Sequence, residues 1–234
     1  EWVAADKIFD DFRQAHLQPL TSTTIAIQNW FRADNATYII VQRLKRKPQI
    51  LKKLRRLNTR LTQLQDIGGL RIVVDQNSDV DRLIEYITNK LKQQTSIGVK
   101  RIVDYRQKGR DDSGYRAAHI IMERDGVSLE LQIRSRIQHY WAELIERTSV
   151  IYGNVIKELE GDKIVIDYFK ELSNLFYLIE TGQHPDSNQR IDIATDKKQN
   201  TRQIDQQNNL YPRYSRRLLH CADIGRSSLQ LCHQ

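Results

Sequence analysis

The chain has 234 residues, enough for one globular domain with additions or at most two small ones. Hydrophobic residues make up 39% and charged residues 28%, so a solvated tail or highly charged helices must accompany the core. The net charge of +8 favours acidic partners such as nucleotides, nucleic acid or an anionic membrane surface, although ordinary basic helices would give the same balance. The two cysteines have no Cys/His metal spacing, which argues against a zinc site and a disulfide-stapled secreted domain. No apolar run approaches a membrane span or a signal peptide, so a cytoplasmic protein with no membrane partner is expected.

Hydrophobic periodicity and turn residues predict alternating helices and strands. The predicted helices, in chain order, cover residues 2–17, 22–32, 48–57, 79–93, 137–149 and 154–180. The predicted strands cover residues 37–45, 70–75, 99–105, 115–123 and 127–135, the last two joined by an Asp125-Gly126 hairpin turn. This order predicts an α+β domain in which a mixed sheet of about five strands is flanked by helices.

Composition predicts the domain organisation. Residues 1–182 are expected to form one domain, with a helical N-terminal part at 1–36, a core at 37–152 and further helices at 153–182. Residues 183–209 are rich in Gln, Asn and Asp and are predicted to be a polar linker. Residues 210–234 regain some apolar residues and are predicted to be a short C-terminal segment.

The predicted strand at 127–134, VSLELQIR, alternates apolar and polar residues. Its polar side chains therefore share one face: Ser128, Glu130, Gln132 and Arg134. A sheet with one solvated face would give the same pattern. The preceding strand is expected to place Tyr115 and His119 on a shared face. A carboxylate, an amide, a guanidinium, an imidazole and a phenol on neighbouring strands favour a site for a polyanion.

An acidic residue precedes a Gly-Gly turn in the segment QDIGGLR. Asp66 could cap this turn, which is the commoner role for an isolated aspartate. Glycine also lets the backbone approach a ligand closely. The functional alternative is that Asp66 and Glu130 hold Mg²⁺ between two hard oxygen ligands and the phosphates of a nucleotide.

Basic residues cluster in the segment RLKRKPQILKK. Strand alternation places Arg43 and Lys45 on one face, directly before the predicted basic helix that carries Lys53. A solvated charge run would look the same. The functional interpretation is phosphate binding, because arginine can stack on a base and grip oxygens while lysine supplies a point charge. The sequence has neither a Walker A loop nor a GxGxxG motif, so a P-loop or Rossmann site is not expected.

In this order, these elements resemble the synthetase domain of the RelA/SpoT family. That family has R-x-K before a basic helix, D-(I/L)-x-(G/A)-x-R, a D-Y segment, G-Y-x-(S/A)-x-H and E-x-Q-(I/L)-R. The matching segments here are residues 43–45, 66–71, 104–105, 114–119 and 130–134, and Trp141-Ala142 is similar to the small single-domain synthetases. Five motifs in the correct order make the signal specific over residues 38–152. The resemblance implies the nucleotidyltransferase-like fold of that family.

The resemblance also implies a function, the transfer of pyrophosphate from ATP to the 3′-hydroxyl of GDP or GTP, which makes the alarmone (p)ppGpp. It implies that Asp66 and Glu130 position Mg²⁺ and that Glu130 helps to deprotonate the acceptor hydroxyl. The residues implied for ATP are Arg43, Lys45, Lys53 and Arg71. The residues implied for the acceptor are Tyr115, which would stack on the base, together with His119, Gln132 and Arg134.

The segment 104–115 departs from the family pattern, since it lacks the usual proline and asparagine and has extra arginines. Toxin members of the family pyrophosphorylate the 3′ end of tRNA, and Arg106, Lys108 and Arg110 would suit an RNA backbone as well as the phosphates of a nucleotide. An inactive nucleotide- or RNA-binding module is a third alternative, which the retained Asp66 and Glu130 argue against. An unrelated RNA-binding protein is a fourth, but no aromatic RNP pattern is present. The resemblance leaves an antitoxin and a homo-oligomer open as further partners.

Overall fold

The structure is a computed structural model that describes residues 2–110, 113–152, 159 and 163–183. Its helices are α1 (Trp2–Gln14), α2 (Leu17–Ala33), α3 (Lys47–Leu57), α4 (Asn77–Lys92), α5 (Arg136–Tyr152) and α6 (Lys163–Glu180). Its strands are β1 (Ile40–Leu44), β2 (Gly68–Val74), β3 (Gly98–Asp104), β4 (Ala118–Arg124) and β5 (Val127–Ser135). None of the helices in these ranges is long and apolar enough to cross a membrane.

The chain forms two compact units. Residues 1–107 and 116–139 make up the first, which contains the whole sheet, and residues 108–115 join the part of the chain from 140 onwards in the second. In the second unit, Trp141 donates a hydrogen bond from its indole to the carbonyl of Phe169 (2.8 Å). Both of these aromatic side chains are buried, so they tie α5 to α6 through packing as well as through this bond.

The five strands form one mixed sheet in the order β1-β2-β5-β4-β3. β2 and β5 run parallel, whereas the other neighbouring strands are antiparallel. Asp125 and Gly126 both have positive φ angles (50° and 76°), which is the backbone of a type I′ turn and closes the β4–β5 hairpin as the sequence predicts. The predicted α+β class and the mixed five-stranded sheet are confirmed.

One face of the sheet forms the hydrophobic core. The side chains of β2 and β5 alternate between this face and the opposite one, and α2 and α4 cover the apolar side. The fully buried residues of this core include Ile27, Ile72, Val80, Ile87, Ile120, Leu129, Leu131 and Ile133. Each large apolar side chain contributes about 1.5–3 kcal/mol on burial, so the apolar face fixes the register and leaves the polar residues of β5 on the other face.

The start of β4 differs from the prediction. A strand over residues 115–123 was expected to hold Tyr115 and His119 on one face, but β4 begins at Ala118. Gly114 has a φ of +75°, and Tyr115 forms an isolated antiparallel bridge with Arg110. The expected shared strand face is therefore wrong, because the chain turns at Gly114 before it enters the sheet. A Cβ on Gly114 would also come within 3.1 Å of Ser173, so only glycine fits here without displacing α6.

The C-terminal predictions are met only in part. The helix predicted over 154–180 corresponds to α6 from Lys163 onwards, and residues 153–158 and 160–162 lie outside the described residues. The predicted linker after residue 183 and the segment 210–234 also lie outside them.

Candidate active site

The polar face of β5 carries a chain of hydrogen-bonded side chains. Arg134 donates from Nη2 to Oε1 of Gln132 (2.7 Å), and Gln132 donates from Nε2 to Oε2 of Glu130 (2.7 Å). On β4, Nδ1 of His119 lies 2.9 Å from Oε1 of Glu130. Both carboxylate oxygens of Glu130 are therefore held in fixed directions.

The environment of Glu130 favours its ionised form. Burial raises the pKa of Glu130, but the hydrogen bond and charge of His119, with the hydrogen bond from Gln132, outweigh burial and hold the pKa below its usual value. The carboxylate is therefore negative at neutral pH. In that state it can bind a cation or accept a proton from a hydroxyl group.

A small apolar cluster positions the second carboxylate. Ile67, directly after Asp66, is fully buried against Ile50 of α3 and Leu64. This contact fixes α3 beside the segment that precedes β2. Lys53 lies three residues after Ile50, on the same side of α3, and so faces Asp66.

Asp66 lies between two lysines. Nζ of Lys45 and Nζ of Lys53 each donate to Oδ2 of Asp66 at 2.7 Å. Burial opposes the ionisation of Asp66, but the two ammonium groups outweigh it and lower its pKa to about 2. Burial also lowers the pKa of Lys53, and the attraction of Asp66 offsets this only in part. The structure thus brings together three predicted site residues in one ionic cluster.

The other oxygen of Asp66 has no hydrogen bond. Oδ1 is buried and has no partner among the described residues. An unsatisfied buried acceptor costs about 1–3 kcal/mol, so this atom marks a place where a ligand or a cation would be stabilising. Gly69, three residues after Asp66, pairs with Glu130 across the parallel strands, which places the two carboxylates in the same part of the fold. The charge of Asp66 acts to raise the pKa of Glu130, against the larger lowering effects of His119 and Gln132.

These donors fit a particular kind of cation. Within the described ranges, no group of three or more His, Cys, Asp or Glu side chains is arranged to hold a metal ion. Two carboxylates are instead the protein ligands that Mg²⁺ takes when substrate phosphates and waters complete its coordination. The pair of Asp66 and Glu130 therefore suits a cation that arrives with a phosphate ligand.

A gap in the polar face separates Arg43 from Glu130. Arg43, Gly69 and Glu130 lie opposite one another on β1, β2 and β5. A Cβ on Gly69 would have only two described atoms within 4 Å, the carbonyl oxygens of Arg43 (3.8 Å) and Glu130 (3.9 Å). Because no side chain fills this position, a ligand has room between the exposed guanidinium and the carboxylate.

Gly68 has a different role from Gly69. A Cβ on Gly68 would lie 2.6 Å from Cδ2 of Leu129, so the close packing of β2 on β5 requires glycine there. The Gly-Gly pair thus combines tight packing on the core face with an open position on the polar face. Arg71 lies on the polar face as well, opposite Gln132.

Tyr115 belongs to the second compact unit, and its side chain is 3% exposed. A base can stack on the phenol only where the ring is uncovered. Its assignment to the acceptor remains a prediction, as do the contacts of His119, Gln132 and Arg134 with an acceptor.

The side chain of Arg106 is used for structure. It donates to Asp104 (Nη2 to Oδ2, 2.6 Å), to Asp81 and to the carbonyl oxygen of Asn77 (3.0 Å). Burial raises the pKa of Asp104, but the bonds from Arg106 outweigh it and lower the pKa overall. Arg106 is 8% exposed and joins the end of β3 to α4, so the suggested contact with RNA or nucleotide phosphates does not fit it. Sequence reasoning missed this role because the partner carboxylate Asp81 is 25 residues away.

Residues 42–156 match the family model described as the region found in RelA / SpoT proteins. Uncharacterised proteins from Mycobacterium tuberculosis and Mycobacterium bovis are each 29% identical to the chain over 121 residues. The match covers 51% of this chain and 42% of the length of those relatives.

Several solved structures share the fold. A GTP pyrophosphokinase family protein from Streptococcus pneumoniae has a TM-score of 0.59 at 19% identity, covering 74% of this chain and 89% of that one. Small alarmone synthetase 2 from Bacillus subtilis has a TM-score of 0.57 at 23% identity, with coverage of 73% and 91%. Small alarmone synthetase 1 from the same organism, bound to its product pppGpp, has a TM-score of 0.59 at 20% identity, with coverage of 75% and 94%.

At these identities the likeness to the solved structures concerns the fold. The chain has the α+β fold of the RelA/SpoT synthetases, with Asp66 just before β2 and Glu130 on β5, the two strands that pair in parallel. Residues 42–156 belong to the RelA/SpoT family.

Proposed function

We propose that the chain is a pyrophosphokinase, which transfers pyrophosphate from ATP to the 3′-hydroxyl of GDP or GTP and so makes (p)ppGpp. The observation that carries this proposal is the pair of ionised carboxylates. Asp66 has a buried oxygen without a partner among the described residues and is bound by Lys45 and Lys53, and Glu130 pairs across the sheet with Gly69, three residues after Asp66. Family membership and the pppGpp bound to the Bacillus subtilis protein of the same fold support this choice of substrates.

On the donor side, basic residues surround the gap above Gly69. Arg43 is exposed at its edge and would stack on the adenine. Lys45 and Lys53 each have three N–H donors and use one of them on Asp66, so donors remain for phosphate oxygens. Arg71, on the same face, would add a second guanidinium for the phosphates.

Asp66 and Glu130 would hold Mg²⁺ bound to ATP. When bound, the cation would neutralise charge on the phosphates and so lower the barrier to nucleophilic attack. The unpartnered Oδ1 of Asp66 is the atom of this chain that favours such a ligand.

In the reaction, the acceptor 3′-oxygen forms a bond to the β-phosphorus of ATP. The bond from that phosphorus to the oxygen bridging to the α-phosphate breaks, and AMP leaves with that oxygen. The hydroxyl proton passes to the carboxylate of Glu130, which is ionised at neutral pH. Positioning and charge neutralisation supply most of the catalysis in reactions of this type.

On the acceptor side, the family resemblance assigns Tyr115 to stacking on guanine, which would require its buried ring to become uncovered. His119 and Gln132 hold the two oxygens of Glu130, and Arg134 holds Gln132. These three residues would support the acceptor phosphates or keep Glu130 aimed at the hydroxyl.

The test uses ATP labelled on its terminal phosphates. The protein is incubated with GDP, GTP or deacylated tRNA, and nucleotides are then separated from RNA. We expect label on GDP or GTP and none with a Glu130→Gln variant. Label only on the 3′ end of tRNA would mean that the acceptor is tRNA, as in the toxin members of the family, and not GDP or GTP. Label on none of the three would refute the pyrophosphokinase function.

A further inference from the structure

A β-bulge in the edge strand β3 determines which face Arg101 occupies. Val99 lies opposite Met122 of β4, but the next paired residue of β3 is Arg101, which lies opposite Ile121. Lys100 is therefore an extra residue. In a regular strand Lys100 would pair with Ile121, and Arg101 would then lie opposite Ile120, on the apolar face. Bulges beside active sites often redirect a side chain in this way.

The bulge brings Arg101 into the row of Glu130. Ile121 is the partner of Arg101 on one side and of Glu130 on the other. The same row continues through Gly69 to Arg43 on β1. Arg101 is two strands from Glu130, about 10 Å at the usual strand spacing, on the side away from Arg43. Both edges of the polar face thus carry a guanidinium in line with the candidate base.

The charge of Arg101 is not neutralised by a carboxylate. Arg101 is exposed, and its Nη2 donates to the neutral amide oxygen of Gln65 (2.8 Å). Across the described ranges it forms no ion pair, whereas its neighbour Lys100 pairs with Glu123. Gln65 directly precedes Asp66, so the side chain of Arg101 extends over the polar face towards the ionic cluster.

We propose that Arg101 binds a phosphate of the acceptor substrate, an inference that rests on the proposed function. Its uncompensated guanidinium suits a phosphate, which it can grip with two N–H groups. Lys45, Lys53 and Arg43 lie on the β1–β2 side of Glu130, so the β3 side is left for the acceptor. The amide of Gln65 holds the guanidinium over the face until a phosphate replaces it. A 5′-phosphate of GDP or GTP and a backbone phosphate of tRNA offer the same chemistry.

The experiment compares Arg101→Ala with wild type in steady-state transfer, varying ATP and the acceptor separately. Loss of a charged hydrogen-bond pair predicts a rise of about 10- to 100-fold in the KM for the acceptor. The KM for ATP should stay within about twofold. Arg101→Lys should recover part of the loss, since it keeps the charge without the two-pronged geometry. Arg82→Ala is the matched control, because Arg82 is 74% exposed on α4, which covers the opposite face of the sheet.

The acceptor arms distinguish the two sources of phosphate. With GDP or GTP, the rise in KM should disappear when guanosine, which has no 5′-phosphate, is the acceptor. With tRNA, Arg101→Ala should reduce the slope of log affinity against log salt by about one.

Three outcomes would overturn the inference. If the wild type is active and Arg101→Ala has the same acceptor KM, the role of Arg101 is refuted and the proposed function is unaffected. A rise in the KM for ATP alone would mean that Arg101 binds ATP and not the acceptor. If the wild type labels none of GDP, GTP and tRNA, both the proposed function and this inference are refuted.

Discussion

Replacing Asp66 by Asn tests whether the ionic cluster stabilises the fold. The substitution keeps the size of the side chain but removes the negative charge that Lys45 and Lys53 share. In the folded protein the pKa of Asp66 is about 2, against an ordinary value of 3.8. Because a pKa change of one corresponds to about 1.36 kcal/mol, the lowered pKa contributes about 2 kcal/mol of stability. The side chain is 18% exposed, so solvent screens this contribution only in part.

The sign of the pH dependence follows from the lowered pKa. The contribution is fully present above the unfolded pKa near 4, and it is lost as the pH falls through the folded value near 2. Urea unfolding followed by tryptophan fluorescence, at pH 7, 5, 3 and 2, measures it. Between pH 5 and pH 2, the wild type should lose about 2 kcal/mol more than Asp66→Asn.

The matched control is Asp75→Asn. Asp75 forms an ion pair with Arg136 (2.8 Å) in which both side chains are at least 65% exposed. Exposed pairs contribute about 0–1 kcal/mol, so this variant should follow the wild-type pH dependence closely. Parallel curves for wild type and Asp66→Asn would refute the reasoning, because they would mean that Asp66 titrates alike in the folded and unfolded chains.

Three further predictions concern the site. Glu130→Gln keeps the shape of the side chain but removes the base. The kcat should therefore fall at least about 100-fold, while the midpoint of unfolding stays near the wild-type value. Near-normal turnover would exclude Glu130 as the base. Arg43→Ala should raise the KM for ATP about 3- to 30-fold, because cation–π stacking on the adenine is lost, and should leave the acceptor KM unchanged. Equal effects on both substrates would contradict the assignment of Arg43 to ATP. Tyr115→Ala should raise the acceptor KM about 5- to 150-fold, which corresponds to the 1–3 kcal/mol of base stacking, whereas Tyr115→Phe should not. Circular dichroism checks that both variants fold. An unaltered acceptor KM in folded Tyr115→Ala would remove this residue from the acceptor site.

The sequence predicts the local elements well where alternation and turn chemistry agree. The strand expected at 127–135 is observed over Val127–Ser135, because four apolar side chains on one face and the Asp125-Gly126 turn allow a single register. The common face of Glu130, Gln132 and Arg134 follows from the same alternation. The basic helix expected at 48–57 is observed as α3, whose first turn contains Pro48.

The features that alternation did not predict depend on contacts distant in sequence or on irregular backbone. Asp66 and Glu130 come into the same part of the fold only because β2 and β5 pair in parallel, and no local pattern specifies that pairing. The link from Lys53 to Asp66 needs the packing of Ile50 on Ile67. The turn at Gly114 and the extra residue at Lys100 both break regular alternation, so a period-two pattern misplaces Tyr115 and gives Arg101 the wrong face.

The position of β5 in the sheet has a consequence for synthesis of the protein. Of the strands that the structure describes, β5 is the last to be made, yet it lies between β2 and β4 in the sheet. A nascent chain that ends before Val127 has no central strand, and its β2 edge and β4 edge are both unpaired. Asp66 is then present without Glu130, so a ribosome-bound fragment of this length lacks one of the two carboxylates that the proposed function requires. Pairing across so long a stretch of sequence also makes closure of the sheet slow compared with formation of the helices, so the two carboxylates of the candidate site come together only late in folding.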